Sequence, residues 1–387
     1  MPTLSLSDVL TKTEHVAREV VAHEIPHVDG EGLWPERGLR ALQEAGLGGL
    51  VVSERQGGLG HGLHTLARVC EVLGRQCAST AICFGMHAVA SAVITAKATP
   101  GQQRDFLAPI IQGKHLTTLA LSESGTGSHF YLPETRLHEE EGGFRVSGYK
   151  SFVTNGSHAD SYVVSTTASS PQAGPGDFSC VVIPLGAEGL EWGPPWQGVG
   201  MRGNSARTLA LRDVHLPRGN LLGQEGDEIW YVFHVVAPYF LVAMAGTYLG
   251  IAASAVEEVR QHLRERRYSH TGGSLGEQTV LQHRLGVIWA AVERTRLLVH
   301  DAASKGDMAH PEALPALCSA KAEVADCAVS VVNEALTLMG GRGYSEESSS
   351  LFRYLRDARA AHVMSPTTDI LRTWTGRALL GLPLLGE

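Results

Sequence analysis

The stretch FRVSGYKSFVTNG, residues 144–156, indicates what kind of fold the middle of this chain adopts. Aromatic and β-branched residues run up to Asn155-Gly156, a pair typical of a tight turn that follows a strand. Three more short runs of this kind follow, divided by Gly, Pro, Asn and Ser: ADSYVVSTT (159–167), FSCVVIPL (178–185) and RTLALRDVHLP (207–217). Such runs predict an antiparallel sheet or barrel over residues 117–224.

The sequence on both sides of this region predicts helices instead, because its apolar residues recur at helical spacing. The clearest helical segments are LRALQEAGLGGL (39–50), LHTLARVCEVLGRQ (63–76), a long apolar run at 235–267, and segments near 279–305, 311–339 and after Pro366. We therefore predict an α+β, mostly α fold in three parts: residues 1–116 helical, 117–224 sheet and 225–387 helical.

Composition limits the classes of function. The net charge is −8 and no Lys/Arg-rich block occurs, which argues against a nucleic-acid partner. We see no apolar run of membrane-spanning length and no export signal at the start of the sequence. Six cysteines are scattered without a C-x-x-C pair, as expected for reduced thiols. These features predict a cytoplasmic protein that does not bind a membrane.

One string suggests a metal but is discounted. HEIPH, residues 23–27, matches the zinc-protease pattern, which needs both imidazoles on one face of a regular helix. Pro26 should disturb that helix, so we expect a helix end with solvated histidines and no metal site.

Five motifs carry more weight when they are taken in order. They are LALSESGTGSHF (119–130), GYKSFVTNG (148–156), GMRGNSARTLALRDVHLP with NLLGQEG (200–226), ERRYSHTGGSLGEQ (265–278) and LMGGRGY (338–344). The first could offer free backbone N–H groups to a phosphate or a polar ring edge, although many Gly-Ser loops are only turns. In the second, Phe152 could lie along a planar ligand. In the last, Gly340-Gly341 is either a helix C-cap or a close approach to a pyrophosphate.

In this order the motifs make the chain resemble the acyl-CoA dehydrogenase flavoprotein family over nearly its whole length. The resemblance implies an N-terminal helical domain, a central β-barrel and a C-terminal four-helix bundle, assembled as a homodimer or homotetramer. It also implies one FAD per subunit, held between barrel and bundle and reaching a neighbouring subunit.

Matching positions imply roles for individual residues. Flavin and substrate would be lined by Leu121, Ser122, Gly127 and Ser128. Phe152 would stack near the isoalloxazine and Thr154 would contact its N5 side. Arg266 would pair with the pyrophosphate of a partner subunit's FAD, a charge-assisted contact. The remaining cofactor positions implied by the family are Gln278, Gly340, Gly341 and Thr367.

The resemblance fails at the catalytic base. The family's usual base is the Glu of an E-G-T string after R-D-A. Here R-D-A is residues 356–358, and the Glu position falls on Ser365, followed by Pro366 and Thr367. A second family location for the base falls near Phe240, a substrate-binding position, with Leu241 where an arginine is usual. A serine does not accept a proton at neutral pH as a carboxylate does. Ser365 is therefore predicted to be a pocket residue, and Thr367 or Thr368 also fits a helix cap.

Three functions remain open. The first is an FAD oxidoreductase that acts on an acyl thioester of coenzyme A or a carrier protein, with hydride transfer to flavin N5. Its electron acceptor would be an electron-transfer flavoprotein or oxygen. The second is a flavin-dependent monooxygenase or oxidase on the same fold. The third is a catalytically silent FAD-binding subunit.

Overall fold

The computed structural model describes residues 4–170 and 176–385 of the chain. Its α-helices are α1 (Leu6–Val16), α2 (Ala22–Ile25), α3 (Glu36–Glu44), α4 (Leu63–Gln76), α5 (Ala78–Ala96), α6 (Pro100–Gln102), α7 (Ala108–Ile111), α8 (Glu228–Tyr231), α9 (Ala237–Glu265), α10 (Thr279–Asp307), α11 (Ala313–Met339), α12 (Leu351–Val363) and α13 (Thr368–Leu379). Its strands are β1 (Thr117–Ala120), β2 (Arg136–Glu140), β3 (Gly143–Val153), β4 (Ser161–Thr166), β5 (Ser179–Pro184), β6 (Leu190–Pro195), β7 (Arg207–Pro217) and β8 (Leu221–Leu222).

The N-terminal helix continues further than the sequence suggested. Wider π-helical turns at Ala17–Val21 and Pro26–Gly30 join α1 and α2 into one helical stretch over residues 6–30. The expectation that Pro26 ends the helix is wrong, since a π turn changes the hydrogen-bonding register where proline cannot donate. Glu24 is buried and accepts from the backbone N–H groups of Arg37 and Gly38, at 3.0 and 2.8 Å. Its carboxylate therefore stabilises the start of α3.

The strands form two four-stranded sheets, ordered β1-β4-β5-β8 and β2-β3-β7-β6. The prediction of an all-antiparallel sheet is wrong at one pair, because β1 and β4 run parallel, with Thr117 opposite Ser161. Parallel pairing needs a long crossover, and β2 and β3 lie in that connection. The predicted domain limits at residues 116 and 224 fall in the connections before β1 and after β8, and as limits they stay predictions.

The C-terminal part is a bundle built around α9, whose middle is buried against α4, α5, α10 and α11. Helices α4 and α9 meet at glycines. A Cβ at Gly74 would lie 2.4 Å from the carbonyl oxygen of Thr247, and one at Gly246 would lie 2.2 Å from that of Ala67. Only glycine allows the two backbones to approach this closely.

Two helical stretches have the length and apolar composition of a membrane span, so the expectation that no run is long enough is wrong. They are Ala78–Ala96 and Glu228–Glu265, and 94% and 83% of their most apolar windows are buried inside the fold. This degree of burial is typical of core helices, and it makes the two stretches weak evidence for a membrane.

Candidate active site

The glycine loop, which we define as residues 121–128, follows directly after β1. Leu121 is buried at its start, and the carbonyl oxygen of Ser122 accepts from the backbone N–H of Ser151 on β3 at 2.8 Å. Gly127 has a φ of +54°, and no atom lies within 4 Å of a Cβ built on it. The loop therefore lies beside the end of β3 and exposes its backbone to a ligand.

A buried ion pair anchors this loop. Lys150 Nζ lies 2.5 Å from Glu123 Oε1, and both side chains are almost fully buried. Lys150 also donates to the carbonyl oxygen of Leu121 at 3.3 Å and to Ser165 Oγ at 3.1 Å. Glu123 in turn accepts from the N–H groups of Glu134 and Thr135 and from Thr135 Oγ1. Burial alone would raise the pKa of Glu123, but the adjacent ammonium of Lys150 lowers it below its usual value.

The end of β3 is held in a strained conformation. Phe152 and Asn155 have φ values of 54° and 59°, in the left-handed region that few non-glycine residues adopt. Asn155 is fully buried: its Oδ1 accepts from Trp34 Nε1 at 2.8 Å and its Nδ2 donates to the carbonyl oxygen of Cys83 at 3.0 Å. Strain of this kind persists only where surrounding contacts enforce it, and it is frequent at ligand sites.

The strained strand end presents an aromatic ring. Phe152 is 59% exposed and its ring meets Trp196 edge-on, with centroids 5.6 Å apart. Thr154, two residues later, is buried, and its carbonyl oxygen accepts from Thr118 Oγ1 at 2.9 Å. An exposed flat ring beside the glycine loop is a suitable platform for a planar ligand.

The third motif belongs to the same region. Met201 and Ser205 also have positive φ values, 50° and 48°, and Ser205 accepts from the N–H of Gly156 through its carbonyl oxygen at 3.0 Å. The N–H of Met201 donates to Asp357 Oδ1 at 2.6 Å. Burial raises the pKa of Asp357 to about 6. The R-D-A segment thus fixes the strained loop next to β3.

We define the active-site turn as residues 364–367, between α12 and α13. Ser365 Oγ donates to the carbonyl oxygen of Ser128 at 3.2 Å, so the turn lies directly against the glycine loop. The Ser365–Pro366 peptide bond is cis. Thr367 is the N-cap of α13, as one alternative predicted, but its side chain makes no capping hydrogen bond.

Among the residues that the structure describes, no carboxylate contacts the position of the missing base through a hydrogen bond. In residues 4–170 and 176–385, no Asp or Glu side chain hydrogen-bonds to Ser128, Ser365 or Thr367. In the same described residues His362 makes no hydrogen bond to Ser365: its Nε2 lies 2.9 Å from Asp326 Oδ1, and its buried Nδ1 has no partner. Phe240 is half-buried in the first turn of α9 and Leu241 is fully buried beside it.

A second group of predicted residues lies at the ends of the long helices. Arg266 is exposed directly after α9, and its carbonyl oxygen accepts from the N–H of Leu275 at 2.7 Å. Gln278 is the exposed N-cap of α10. Gly340 caps α11 with a φ of +59°, and it and Gly341 are exposed with open space around their Cα atoms. Within the described part of the chain, no hydrogen bond joins this group to the glycine loop.

The two groups suit the two ends of a flavin dinucleotide. The first has an exposed aromatic ring, a buried threonine and an open glycine loop, which fit a flat ring system with polar edges. The second has an exposed guanidinium and an open Gly-Gly backbone, which fit a pyrophosphate. That a neighbouring subunit supplies the second end stays a prediction.

Sequence reasoning missed the residues that hold this site together. Glu123, Lys150 and Lys321 are all buried charged side chains. Lys150 donates to the backbone of the glycine loop and pairs with Glu123, and Lys321 donates to the backbone of the active-site turn. The signal was present, since Lys321 is the one lysine in ALCSAKAEVADCAV (316–329), a mostly apolar stretch.

Comparison with protein families matches three family descriptions along the chain. The acyl-CoA dehydrogenase N-terminal domain matches residues 7–114, the middle domain residues 118–214 and the C-terminal domain residues 241–380. A protein of Syntrophus aciditrophicus (strain SB) named cyclohex-1-ene-1-carbonyl-CoA dehydrogenase is 30% identical over 364 residues, which cover 94% of this chain and 86% of that protein.

Comparison with solved structures gives the same family and fold. Butyryl-CoA dehydrogenase from Megasphaera elsdenii superposes with a TM-score of 0.90 at 25% identity, covering 97% of this chain and 99% of that one. A prolyl acyl carrier protein oxidase superposes with a TM-score of 0.86 at 22% identity, covering 97% and 99% of the two chains, and this second likeness shows the fold alone.

Proposed function

Since the chain belongs to the acyl-CoA dehydrogenase family, we propose that it binds one FAD and oxidises an acyl thioester carried by coenzyme A or a carrier protein. The single observation that supports this most strongly is the hydrogen bond from Ser365 to Ser128, because it joins the glycine loop and the active-site turn into one pocket. A bound flavin would supply the acceptor for the hydride that leaves the substrate β-carbon.

The side chains of this chain orient the reactants. Phe152 and Thr154 would lie against the flavin ring, and Leu121 and Ser122 would line its edge. Lys150 and Glu123 hold the glycine loop in place, and Ser365 uses its hydroxyl to fix the loop at Ser128. Arg266 and the Gly340-Gly341 backbone, from a neighbouring copy, would bind the pyrophosphate. Ser365 does not take the α-proton, because its hydroxyl is too weak a base, so under this function the proton passes to a base other than residue 365.

A second candidate function rests on the same turn. A serine in place of a carboxylate leaves room and removes the base on which ordinary dehydrogenation depends, which favours an oxidase or monooxygenase that uses oxygen as the acceptor. The likeness to a carrier-protein oxidase supports this candidate at the level of fold only. Electron-transfer flavoprotein is the acceptor under the first candidate, and the two differ in their dependence on oxygen.

Two variants of Ser365 test the proposed role. Ser365→Ala removes one neutral hydrogen bond of about 1 kcal/mol, so turnover should stay within roughly fivefold of wild type. Ser365→Glu places an acid at the family's position and should raise dehydrogenation of straight-chain acyl-CoA. Ser304→Ala, which removes a hydroxyl bonded within α10, is the matched control. A loss of more than about 100-fold in Ser365→Ala, with FAD still bound, would show that the serine takes part in proton transfer.

We also propose a homo-oligomer, with α10 at a subunit contact. Its side chains Val280, Val287 and Leu297 lie on one side of the helix and are 64%, 56% and 72% exposed, an apolar surface that a second copy would cover. Leu297→Glu should lower the molar mass measured by light scattering, whereas Leu33→Glu, at an exposed leucine outside α10, should not. An unchanged mass for Leu297→Glu would exclude this face.

A cytoplasmic location is proposed from the six unpaired cysteines.

A further inference from the structure

Lys321 is a lysine on α11 with no contact to solvent. Its Nζ donates to three carbonyl oxygens: Ala361 at 2.7 Å, Met364 at 3.2 Å and Pro366 at 2.9 Å. An ammonium group has three N–H donors and no acceptor, so these bonds use its whole donor capacity. The side chain is therefore fixed on the backbone between α12 and α13.

This lysine has no acidic partner in the part of the chain that the structure describes. Burying an ammonium without a counter-charge is costly, and burial lowers the pKa of Lys321 to about 7. The compensation comes from α12, which ends at Val363. Carbonyl groups in a last helical turn lack helical partners and carry the negative end of the helix dipole. Only backbone carbonyl groups offset the free-energy cost of burying the Lys321 ammonium group. This arrangement indicates that the lysine shapes that part of the backbone.

The acceptors lie on both sides of Ser365. Met364 precedes it and Pro366 follows it, so Nζ bridges the carbonyl oxygens of the two residues that flank the position of the missing base. Other contacts to the turn are few: Tyr248 Oη lies 3.1 Å from Met364 Sδ, and Thr367 starts α13 without a side-chain cap. The turn therefore depends on Lys321 more than on any other polar side chain that contacts it.

We propose that Lys321 is the positioning residue of the active-site turn, holding the backbone around Ser365 against the glycine loop so that a substrate meets the flavin in a productive orientation. This inference rests on the proposed function for its effect on catalysis. Lys321 is not itself the base, because its three N–H groups face the three carbonyl oxygens and leave no path to a ligand. It acts only through the turn.

The test uses the FAD-loaded enzyme and three variants. Lys321→Met keeps the chain length but removes all donors, and Lys321→Gln keeps an amide that can still donate. Lys305→Met, on α10 where Lys305 pairs with the exposed Asp301, is the matched control. The rate constant of flavin reduction and the substrate Kd are measured separately by anaerobic stopped flow.

We expect Lys321→Met to bind FAD and thioester normally but to reduce its flavin about 10- to 100-fold more slowly, the size of effect that a misplacement of about 1 Å produces. Lys321→Gln should be at least about threefold faster than Lys321→Met, and Lys305→Met should match wild type. A Lys321→Met rate within about twofold of wild type would overturn the proposal. So would a glutamine variant that is no faster than the methionine variant.

A second measurement does not need turnover. Hydrogen exchange should show the Leu371 amide, which donates to the Thr367 carbonyl, exchanging about tenfold faster in Lys321→Met than in wild type, with α10 unaffected. If no thioester reduces the wild-type flavin, the proposed function fails and this measurement alone decides the role of Lys321. Unchanged exchange at Leu371 would overturn it, including where Lys321→Met folds too poorly for kinetics and Lys321→Gln is used instead.

Discussion

Replacement of Lys150 by methionine should destabilise the protein more than any surface substitution of lysine. In wild type, Lys150 Nζ lies 2.5 Å from Glu123 Oε1 with both groups buried. Removing one partner of a buried ion pair leaves an unpaired charge and costs about 3–5 kcal/mol. Glu123 keeps three other donors from Glu134 and Thr135, so we expect the lower end of that range, about 3 kcal/mol.

The dependence on pH gives a sharper form of this prediction. With Lys150 gone, we expect burial to outweigh the three remaining hydrogen bonds and to raise the folded-state pKa of Glu123 above its unfolded value. Such a group stabilises the fold at low pH and loses that contribution as pH rises through its folded pKa. The loss of unfolding free energy in Lys150→Met relative to wild type should therefore be smaller at pH 5 than at pH 8.

Urea titration followed by circular dichroism, at both pH values and with saturating FAD, measures the free energy of unfolding. Lys305→Met removes an ion pair whose acid, Asp301, is 61% exposed, and should cost at most about 1 kcal/mol. If Lys150→Met costs no more than this control, or if its deficit does not change with pH, the reasoning about the buried pair is wrong.

Two further predictions concern buried polar groups. Burial raises the pKa of Glu228 to about 8, and neither carboxylate oxygen has a hydrogen-bond partner in the described residues, so wild type should lose stability as pH rises from about 5 to 9. Glu228→Gln cannot ionise, so its free energy of unfolding should rise by roughly 2–4 kcal/mol relative to that of wild type over this pH range. Glu44→Gln, at an exposed site, is the control and should show no such rise. If urea titrations give wild type and Glu228→Gln the same pH dependence, the prediction is wrong. Asn155→Gly should lower the free energy of unfolding by about 2–3 kcal/mol, because the side-chain hydrogen bonds are lost. Asn155→Ala should lower it by about 1 kcal/mol more, because alanine is strained at the positive φ of this position. Equal costs for the two Asn155 variants in urea titration would show that φ strain is absent.

The order of structural classes along the chain followed from local patterns alone. The strand run at 144–153 and the turn at Asn155 appear as β3 and the bend after it, because alternation and turn chemistry act over a few residues. Helix α4 has the bounds of its sequence segment, Leu63–Gln76. The parallel pairing of β1 with β4 was not predictable from these patterns, since it depends on a connection of about 40 residues and not on either strand.

Residues of the candidate site could be predicted from the sequence only where they belong to a motif. The family resemblance selected Ser128 and Ser365, and the structure joins them at 3.2 Å. The charges of Lys150 and Lys321 were overlooked, because a lone lysine in an apolar segment is compatible with a solvated face until its surroundings are known. Pro26 was misjudged because proline disrupts an α-turn, whereas the structure uses a π turn there.

Anaerobic mixing of the purified protein with a panel of acyl thioesters, followed in the visible spectrum, tests the central claim most directly. We expect the protein to be yellow, to release FAD on denaturation, and to lose its flavin absorbance with at least one acyl-CoA or acyl carrier protein thioester. Readmission of air then separates the two candidates, since rapid reoxidation favours the oxidase and slow reoxidation favours a protein acceptor. A protein that cannot be loaded with FAD, or a bound flavin that no thioester reduces, would contradict the claim.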